Sequence, residues 1–261
     1  MRQLAASGYR EVVLSAISLP SYGLDTGTNL VELVEHCAQV EGIQRIRLGS
    51  LDPDMLTPEF ITRLAAVEKL CPQFHLSVQS GCTATLRRMR RVYTAEQYAQ
   101  VVDQLRAAYG ERPVSFTTDC ICGFPGETQA DFAELEQFVR DVRFERLGVF
   151  AYSEEEGTYS AQKLQDNVPE EVKQQRVERI MALQNEISLE NNLRRVGRTE
   201  RVLIDSRQGD YYVGRTQYDS PEVDQEILIP ASEKRLLRGR FYDVRIDSAA
   251  DYDLYGRAAG K

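Results

Sequence analysis

The 261-residue sequence lacks three features that would each define a class of protein. No hydrophobic run approaches the length of a membrane-spanning helix, and the first residues lack the apolar segment of a signal peptide. Positive charge is not in excess: the formal net charge of −8 argues against a surface that grips nucleic acid over most of its area. The net negative charge does not exclude a local basic patch. We therefore expect a cytoplasmic protein with no membrane partner, and we expect it to be a monomer.

Cysteine is also scarce, and its pattern excludes two common roles. The five cysteines are Cys37, Cys71, Cys82, Cys120 and Cys122, and their spacing matches no zinc ribbon. An odd number in a chain of this kind does not suit a disulfide framework. Cys120 and Cys122 are two apart on a predicted strand and so point to one face. We predict that they are small buried residues rather than ligands.

Strands and helices alternate along the first 152 residues. The five predicted strands are residues 11–17, 43–50, 74–79, 114–121 and 146–152. No two strands follow each other without a helix between them, which predicts an α/β fold with a parallel sheet built by right-handed crossovers. A doubly wound sheet and a full or partial barrel both fit this pattern.

Polar residues follow three of these strands where each strand ends. They are residues 79–81, 123–127 and 152–154. In both architectures, chemistry collects at the carboxyl ends of the strands, so we expect these residues to share one face. The corner at 123–127 is rich in glycine and precedes a helix that Thr128 and Asp131 begin as a capping box. Its backbone amides suit an electron-rich ligand, although a plain turn between strand and helix explains the pattern equally well.

A change of period divides the chain into two predicted domains. One long charged helix runs from Pro169 to about Leu193, and after Gly197 the apolar residues alternate with period two. The short strands predicted there are residues 201–205, 211–214, 226–229 and 241–246. We predict domains at 1–195 and 196–261, the second being a small antiparallel barrel. Such barrels often bind RNA or a protein through one face, although the charges of this tail are roughly balanced.

Several ordered motifs resemble those of the radical-S-adenosylmethionine (radical SAM) methylthiotransferases. They lie at residues 74–82, 86–93, 118–128 and 150–158. The resemblance covers nearly the whole chain and implies a partial parallel (β/α) barrel that lacks its first strand, followed by a small antiparallel β-barrel of the TRAM type. It implies S-adenosylmethionine and 4Fe-4S clusters as cofactors of the complete protein.

Within this family the resemblance is divided. Up to about residue 128 the chain is similar to MtaB-type enzymes, which act on threonylcarbamoyladenosine in the tRNA anticodon loop, above all at residues 47–53 and 71–77. From about residue 132 it is similar to RimO-type enzymes, which modify an aspartate of a small-subunit ribosomal protein. Residues 146–153, 168–173 and 214–221 carry that similarity. Because the tail resembles RimO and is nearly neutral, we favour a ribosomal-protein substrate, with the tRNA nucleoside as the alternative.

The family's cluster-binding Cys-x-x-x-Cys-x-x-Cys loop is missing from this sequence. We therefore expect a fragment of a methylthiotransferase that is inactive alone and assembles no stoichiometric 4Fe-4S cluster. An alternative is an inert module that docks on RNA or on a ribosomal protein. A third alternative, an unrelated barrel enzyme, has no convincing set of acid, base and nucleophile to support it, and no catalytic residue is identified.

The resemblance implies that the polar strand ends form the S-adenosylmethionine pocket. The residues assigned to it are Gln79, Ser80, Gly123, Pro125, Gly126, Glu127, Tyr152 and Ser153. Simpler roles compete with this assignment. Gln79 and Ser80 could cap a strand end, and Glu127 could complement a helix dipole. Arg87, Arg88, Arg90 and Arg91 of the basic helix could hold an RNA or protein substrate or could equally form a solvated face, and His75 is expected to be a core histidine.

Overall fold

The computed structural model describes residues 1–221 and 224–259, and residues 222–223 and 260–261 are left out of the description. The first part alternates strand and helix as predicted. Its strands are β1 (Glu11–Leu14), β2 (Arg45–Leu48), β3 (Gln73–His75), β4 (Ser115–Cys122) and β5 (Arg146–Ala151). Its helices are α1 (Arg2–Ala6), α2 (Leu30–Ala38), α3 (Pro58–Ala65), α4 (Thr83–Arg88), α5 (Ala95–Tyr109), α6 (Gln129–Val142), α7 (Tyr159–Lys163) and α8 (Glu170–Leu193).

The parallel strands follow one another in chain order. β1 pairs with β2, and β3, β4 and β5 form a second parallel sheet. Parallel bridges from Ile46 to Leu70 and from Leu51 to Leu76 connect the two sheets. A doubly wound sheet reverses its strand order at a switch point, whereas a barrel does not. The α/β prediction is confirmed, and the barrel alternative is the one that applies.

Local sequence explains where the helices around the corner begin and end. Thr94 with Gln97, and Thr128 with Asp131, form reciprocal capping boxes at the starts of α5 and α6. The α6 helix ends at Arg143, which adopts a left-handed conformation with φ of 55°. The start of α6 is thus fixed by side chains soon after the end of β4, whereas α4 lies between β3 and the start of α5.

Alternate residues of the strands face two different environments. The helix-facing residues Ile46, Phe74 and Phe116 belong to one continuous apolar core with residues of α3, α5, α6 and α8. Cys120 and Cys122 are buried in the same region, as predicted. The opposite, concave face is polar, because it carries residues such as Gln73 and Thr117, whose side chains lie 3.4 Å apart.

The C-terminal part is a closed barrel with its own core. Its five strands are β6 (Thr199–Gln208), β7 (Tyr211–Arg215), β8 (Ile227–Pro230), β9 (Phe241–Ala249) and β10 (Leu254–Ala258). The sequence pattern predicted four strands and missed β10, whose five residues include Arg257 and Gly256. The barrel is also not wholly antiparallel, since β8 and β10 pair in parallel. No helix among residues 1–221 and 224–259 is long and apolar enough to cross a membrane.

Candidate functional site

A polar cluster lies on the concave face between β3 and β4. His75 Nδ1 is 3.0 Å from Thr117 Oγ1, and His75 Nε2 is 3.5 Å from Asp119 Oδ2. The Asp119 carboxylate has room beside β5 because Gly148 has no side chain: a Cβ there would overlap Asp119 Oδ1. His75 was expected to be a core histidine, but its side chain is 25% exposed on this face. The alternation along the strand placed His75 on one face of the sheet, but it did not show which face is exposed to solvent.

The glycine corner is held by a buried ion pair that the sequence did not reveal. Gly123 has φ of 75°, and its amide donates to Glu127 Oε1 over 2.8 Å. The same carboxylate oxygen accepts from Arg176 Nη1 on α8 at 2.6 Å, and both side chains are less than 10% exposed. Burial raises the pKa of Glu127, while the Gly123 amide and the Arg176 guanidinium oppose that shift. The sequence also allowed Glu127 to act only as a negative charge beside the start of α6, and that alternative does not include its ion pair with Arg176.

Helix α8 also packs against the aromatic residues of the corner. The rings of Phe124 and Tyr152 meet edge to face with centroids 5.1 Å apart, and Lys173 Nζ lies 5.3 Å from the Tyr152 ring centroid. A Cβ on Gly123 would overlap Lys173 Cγ, so only glycine allows this approach. Sequence reasoning missed Lys173 and Arg176. The available signal was their spacing of three, which puts both on one face of a helix.

The remaining predicted pocket residues fall into two groups. Ser80 is fully buried, and its hydroxyl accepts from the Cys82 amide at 3.2 Å, which is the capping role considered for it. Pro125 is buried, and the Gly126 amide donates to Asn167 Oδ1 at 2.8 Å. Ser153 is exposed beyond the end of β5. All of these residues lie at the carboxyl edge, and a role for them in binding S-adenosylmethionine stays a prediction.

Gln79 lines a small cavity at this edge. The cavity has a volume of about 220 Å³ and is bounded by Phe124, by Arg88–Arg91 and by residues 158–160. Gln79 has φ of 65°, a conformation that costs free energy for a residue with a side chain and that clusters at functional sites. Two of the arginines predicted as a substrate surface are already engaged. Arg88 pairs with Asp131 at 2.7 Å, and Arg90 lies 4.4 Å from the centroid of the Tyr159 ring.

The carboxyl edge fits a polar nucleoside-type ligand such as S-adenosylmethionine. The Tyr152 hydroxyl and Arg88 Nε are buried there without a hydrogen-bond partner among the described residues. Buried polar groups are normally paired, so such orphans indicate a position where a ligand supplies the partner. Gln79 and Arg88 line the cavity, and Tyr152 packs on Phe124 in its wall. We expect these groups to orient the ligand when it binds.

The cysteines do not fit an iron–sulfur cluster. Within residues 1–221 and 224–259, no group of three or more His, Cys, Asp or Glu side chains is placed to hold a metal ion. All five cysteines are buried and lie in different elements, apart from the pair on β4. The hydrogen bond from Cys122 and burial raise the pKa of Cys120 well above its usual value, so its thiol stays protonated at neutral pH.

The amino-terminal end of the partial barrel is occupied by the C-terminal barrel. Residues 216–221, which follow β7 and are called the docking loop here, sit against β2. Arg47 donates to the carbonyls of Thr216 and Gln217 at 2.6 and 3.1 Å, and to Glu11 at 3.0 Å. Arg215 pairs with the same Glu11 carboxylate at 2.8 Å. The docking loop therefore coincides with the 214–221 motif that carried the RimO-type resemblance.

The shared Glu11 makes domain docking sensitive to acid. Burial raises the pKa of Glu11, but Arg47 and Arg215 outweigh it and hold that pKa below the usual 4.5. A depressed carboxyl pKa stabilises the fold above the unfolded-state value, and this stabilisation is lost as pH falls through the folded-state pKa. We expect the free energy of unfolding of Glu11→Gln to fall less steeply than wild type below about pH 5 in urea titrations. The control Glu154→Gln, on an exposed loop, should keep the wild-type slope; equal slopes in all three proteins would contradict the assignment.

The fold and the carboxyl-edge site together define a radical SAM barrel joined to a TRAM domain. The family model "Radical SAM superfamily" matches residues 1–139, and the model "TRAM domain" matches residues 196–259. The chain belongs to the radical SAM superfamily. It resembles coproporphyrinogen III oxidase (HemN) from Escherichia coli in fold, with a TM-score of 0.54 at 15% identity over 80% of this chain and 54% of that one.

Similarity to curated sequences is more specific. The chain is 42% identical to "Ribosomal protein uS12 methylthiotransferase RimO" of Christiangramia forsetii over 97% of its own length and 56% of that protein. The protein of the same name from Phocaeicola vulgatus is also 42% identical, over 98% of this chain and 59% of the relative. The chain thus spans a little over half the length of these curated relatives. The predicted relation to the methylthiotransferase family is confirmed, and the RimO similarity includes the first half of the chain.

Proposed function

We propose that this chain forms the barrel and TRAM portion of a radical SAM methylthiotransferase that modifies ribosomal protein uS12. The observation that carries the proposal is the 42% identity to two proteins of that name, extending over 97 and 98% of this chain. The net reaction replaces a hydrogen of an unactivated C–H bond, on an aspartate of uS12, with a methylthio group. S-adenosylmethionine and the 4Fe-4S clusters, when bound, would supply the radical that removes the hydrogen and the methylated sulfur that replaces it, as cofactors do in this class of enzyme.

This chain's own residues position and enclose the reactants. The Glu127–Arg176 pair and the Gly123 amide fix the corner between β4 and α6, so that Gln79, Phe124 and Tyr152 keep a constant geometry at the carboxyl edge. On the concave face, His75 and Asp119 present polar groups between β3 and β4 toward the space where a substrate segment would lie. Phe150 of β5, which is 57% exposed, supplies an apolar surface beside them.

A second candidate function is a docking module without chemistry of its own. The buried, dispersed cysteines favour it for this chain taken alone, because they offer no cluster ligands among the described residues. The two candidates make different predictions for the isolated chain and for a protein that also contains a cluster-binding region. We propose that the isolated 261-residue chain is inactive and that the complete protein is an enzyme.

The test is modification of uS12 in a host from which two enzymes have been deleted: the methylthiotransferase that acts on uS12 and the methylthiotransferase that acts on tRNA. The complete gene should convert uS12 to a form heavier by one methylthio group in place of hydrogen, measured by mass spectrometry of ribosomal proteins. Expression of residues 1–261 alone should leave uS12 unmodified and should give no stoichiometric 4Fe-4S cluster on anaerobic reconstitution. Modification of threonylcarbamoyladenosine in tRNA digests, with uS12 unchanged, would replace the proposed substrate with the alternative one.

A further inference from the structure

A second cavity of the described chain lies away from the proposed catalytic edge. Its volume is about 580 Å³, and it opens between the amino-terminal ends of the barrel strands and the C-terminal barrel. Arg45, Ser115 and Arg146, the first residues of β2, β4 and β5, form its floor. Sites for small molecules commonly occupy cavities of this size at domain boundaries.

Positive charge dominates the wall of this cavity. Seven basic and four acidic side chains line it. Two of the acids, Glu200 and Asp219, lie 2.6 and 3.5 Å from Arg195, whose single charge offsets part of theirs. Glu145 accepts from the Phe116 amide at 2.7 Å, and burial raises its pKa. Glu68, the fourth acid, is exposed at the rim.

Arg146 is a basic residue in the floor of this cavity whose hydrogen bonds are incomplete. Its guanidinium makes no ion pair with a described carboxylate within 4.0 Å, although Asp219 and Asp224 attract it from farther away, and its Nε is buried without a hydrogen-bond partner. It donates to the neighbouring Glu145 carbonyl, which carries no full charge. A charge in such a position is unfavourable unless an anion compensates it. Asn191 Nδ2, another orphaned donor, lines the same cavity.

Part of the wall is apolar. Leu70, Cys71 and Val114 of the partial barrel are buried beside the cavity, and Tyr218 of the docking loop lines it on the other side. The Tyr218 ring centroid lies 5.5 Å from the Arg195 guanidinium. Arg194 and Arg198 are exposed at the mouth and make no ion pair with a described residue. The site therefore combines an apolar wall, an aromatic ring and several unpaired cations.

We propose that this cavity binds a small organic phosphate of nucleotide size. The phosphates would lie against Arg146 and Arg198, and the base or other flat body would lie between Tyr218 and the apolar wall. A long nucleic acid fits less well, because the floor is enclosed by both domains and the net charge of the chain is −8. The site is distinct from the carboxyl-edge pocket, so its occupancy does not depend on the proposed methylthiolation.

Calorimetric titration of the purified 261-residue chain with ADP, pyrophosphate and adenosine tests the proposal. ADP should bind, and adenosine, which lacks the phosphates, should bind at least about tenfold more weakly. Arg198→Gln and Arg146→Gln should each weaken ADP binding about tenfold, whereas Arg146→Lys should retain part of it. The control Arg238→Gln removes the same charge from an exposed position of the C-terminal barrel and should leave the affinity unchanged.

Three outcomes would overturn this assignment. One is no ADP binding to the wild-type chain at low salt. Another is equal loss of affinity in Arg198→Gln and Arg238→Gln, which would indicate general charge attraction rather than a site. The third is tight binding of a single-stranded RNA, lost in Arg198→Gln, with no binding of ADP; the arginines would then serve an RNA backbone. Because Arg198 is exposed, its variant remains informative even if Arg146→Gln fails to fold.

Discussion

Replacing Arg47 by alanine is expected to cost about 3–5 kcal/mol of stability, because it leaves buried partners uncompensated. Arg47 is fully buried and bonds to Glu11 and to two carbonyls of the docking loop. Its removal leaves the Glu11 carboxylate with Arg215 at 2.8 Å and Arg45 at 3.7 Å, and leaves two carbonyls without their donor. The free energy of unfolding, measured by urea denaturation at pH 7, is the test.

The matched control for this variant is Arg63→Ala. Arg63 makes a two-point ion pair with Glu35, with an Nη2 to Oε2 distance of 2.7 Å, but both side chains are more than a third exposed. Exposed pairs contribute about 0–1 kcal/mol, so this variant should be nearly neutral. The partial barrel and the C-terminal barrel have separate cores, so Arg47→Ala should also separate their thermal transitions in calorimetry. A loss no larger than that of Arg63→Ala would show that Arg47 does not hold the domains together.

The second large effect is expected at the glycine corner. Arg176→Ala leaves the Glu127 carboxylate buried with the Gly123 amide as a partner, and should cost about 3–5 kcal/mol. Arg179 is its matched control, since it lies on the same helix, stacks on the same Phe132 ring and pairs with Glu136 at 2.6 Å. Its side chain is 58% exposed, so Arg179→Ala should lose less than about 1 kcal/mol.

Two further measurements separate charge from packing at this corner. The double variant Arg176→Met with Glu127→Leu removes both charges and should recover most of the stability lost in Arg176→Ala. The pKa of Glu127 is raised by burial, so its neutral form stabilises the fold at low pH and that contribution is lost as pH rises through the folded-state value. The deficit of Arg176→Ala should therefore shrink as the pH is lowered toward about 5. A deficit that is independent of pH and persists in the double variant would mean that shape, not charge, explains the loss.

Local pattern predicted the elements of this fold well where one face is buried. The alternation of strands and helices, the capping box at Thr128, and the burial of Cys120 and Cys122 all follow from short-range rules. The strand β10 escaped prediction because Gly256 and Arg257 weaken its alternation, and its place depends on pairing with β8 and β9. Pairing across the chain is invisible to a window of a few residues.

The candidate site was predicted less completely than the fold. Sequence reasoning placed Gln79, Gly123, Glu127 and Tyr152 at one edge, which the parallel topology ensures. It missed Arg176 and Lys173, because residues on a helix some fifty positions away along the chain reach the corner only after the helix packs on β5. The cavity lined by Arg146 was likewise unforeseen, because it lies between two domains whose relative placement no local pattern encodes.

The way in which β2 holds the docking loop has a consequence for how such proteins diverge. Arg47 and Arg45 both bind main-chain carbonyls. Arg47 donates to those of Thr216 and Gln217. Arg45 donates to those of Arg201 and Arg215. Every residue type has a main-chain carbonyl, so the side chains of the docking loop can change while the hydrogen bonds that join the two domains are kept. A barrel of this kind can therefore exchange its C-terminal partner for a related one without redesign of β2, which leaves the partner free to evolve new recognition surfaces.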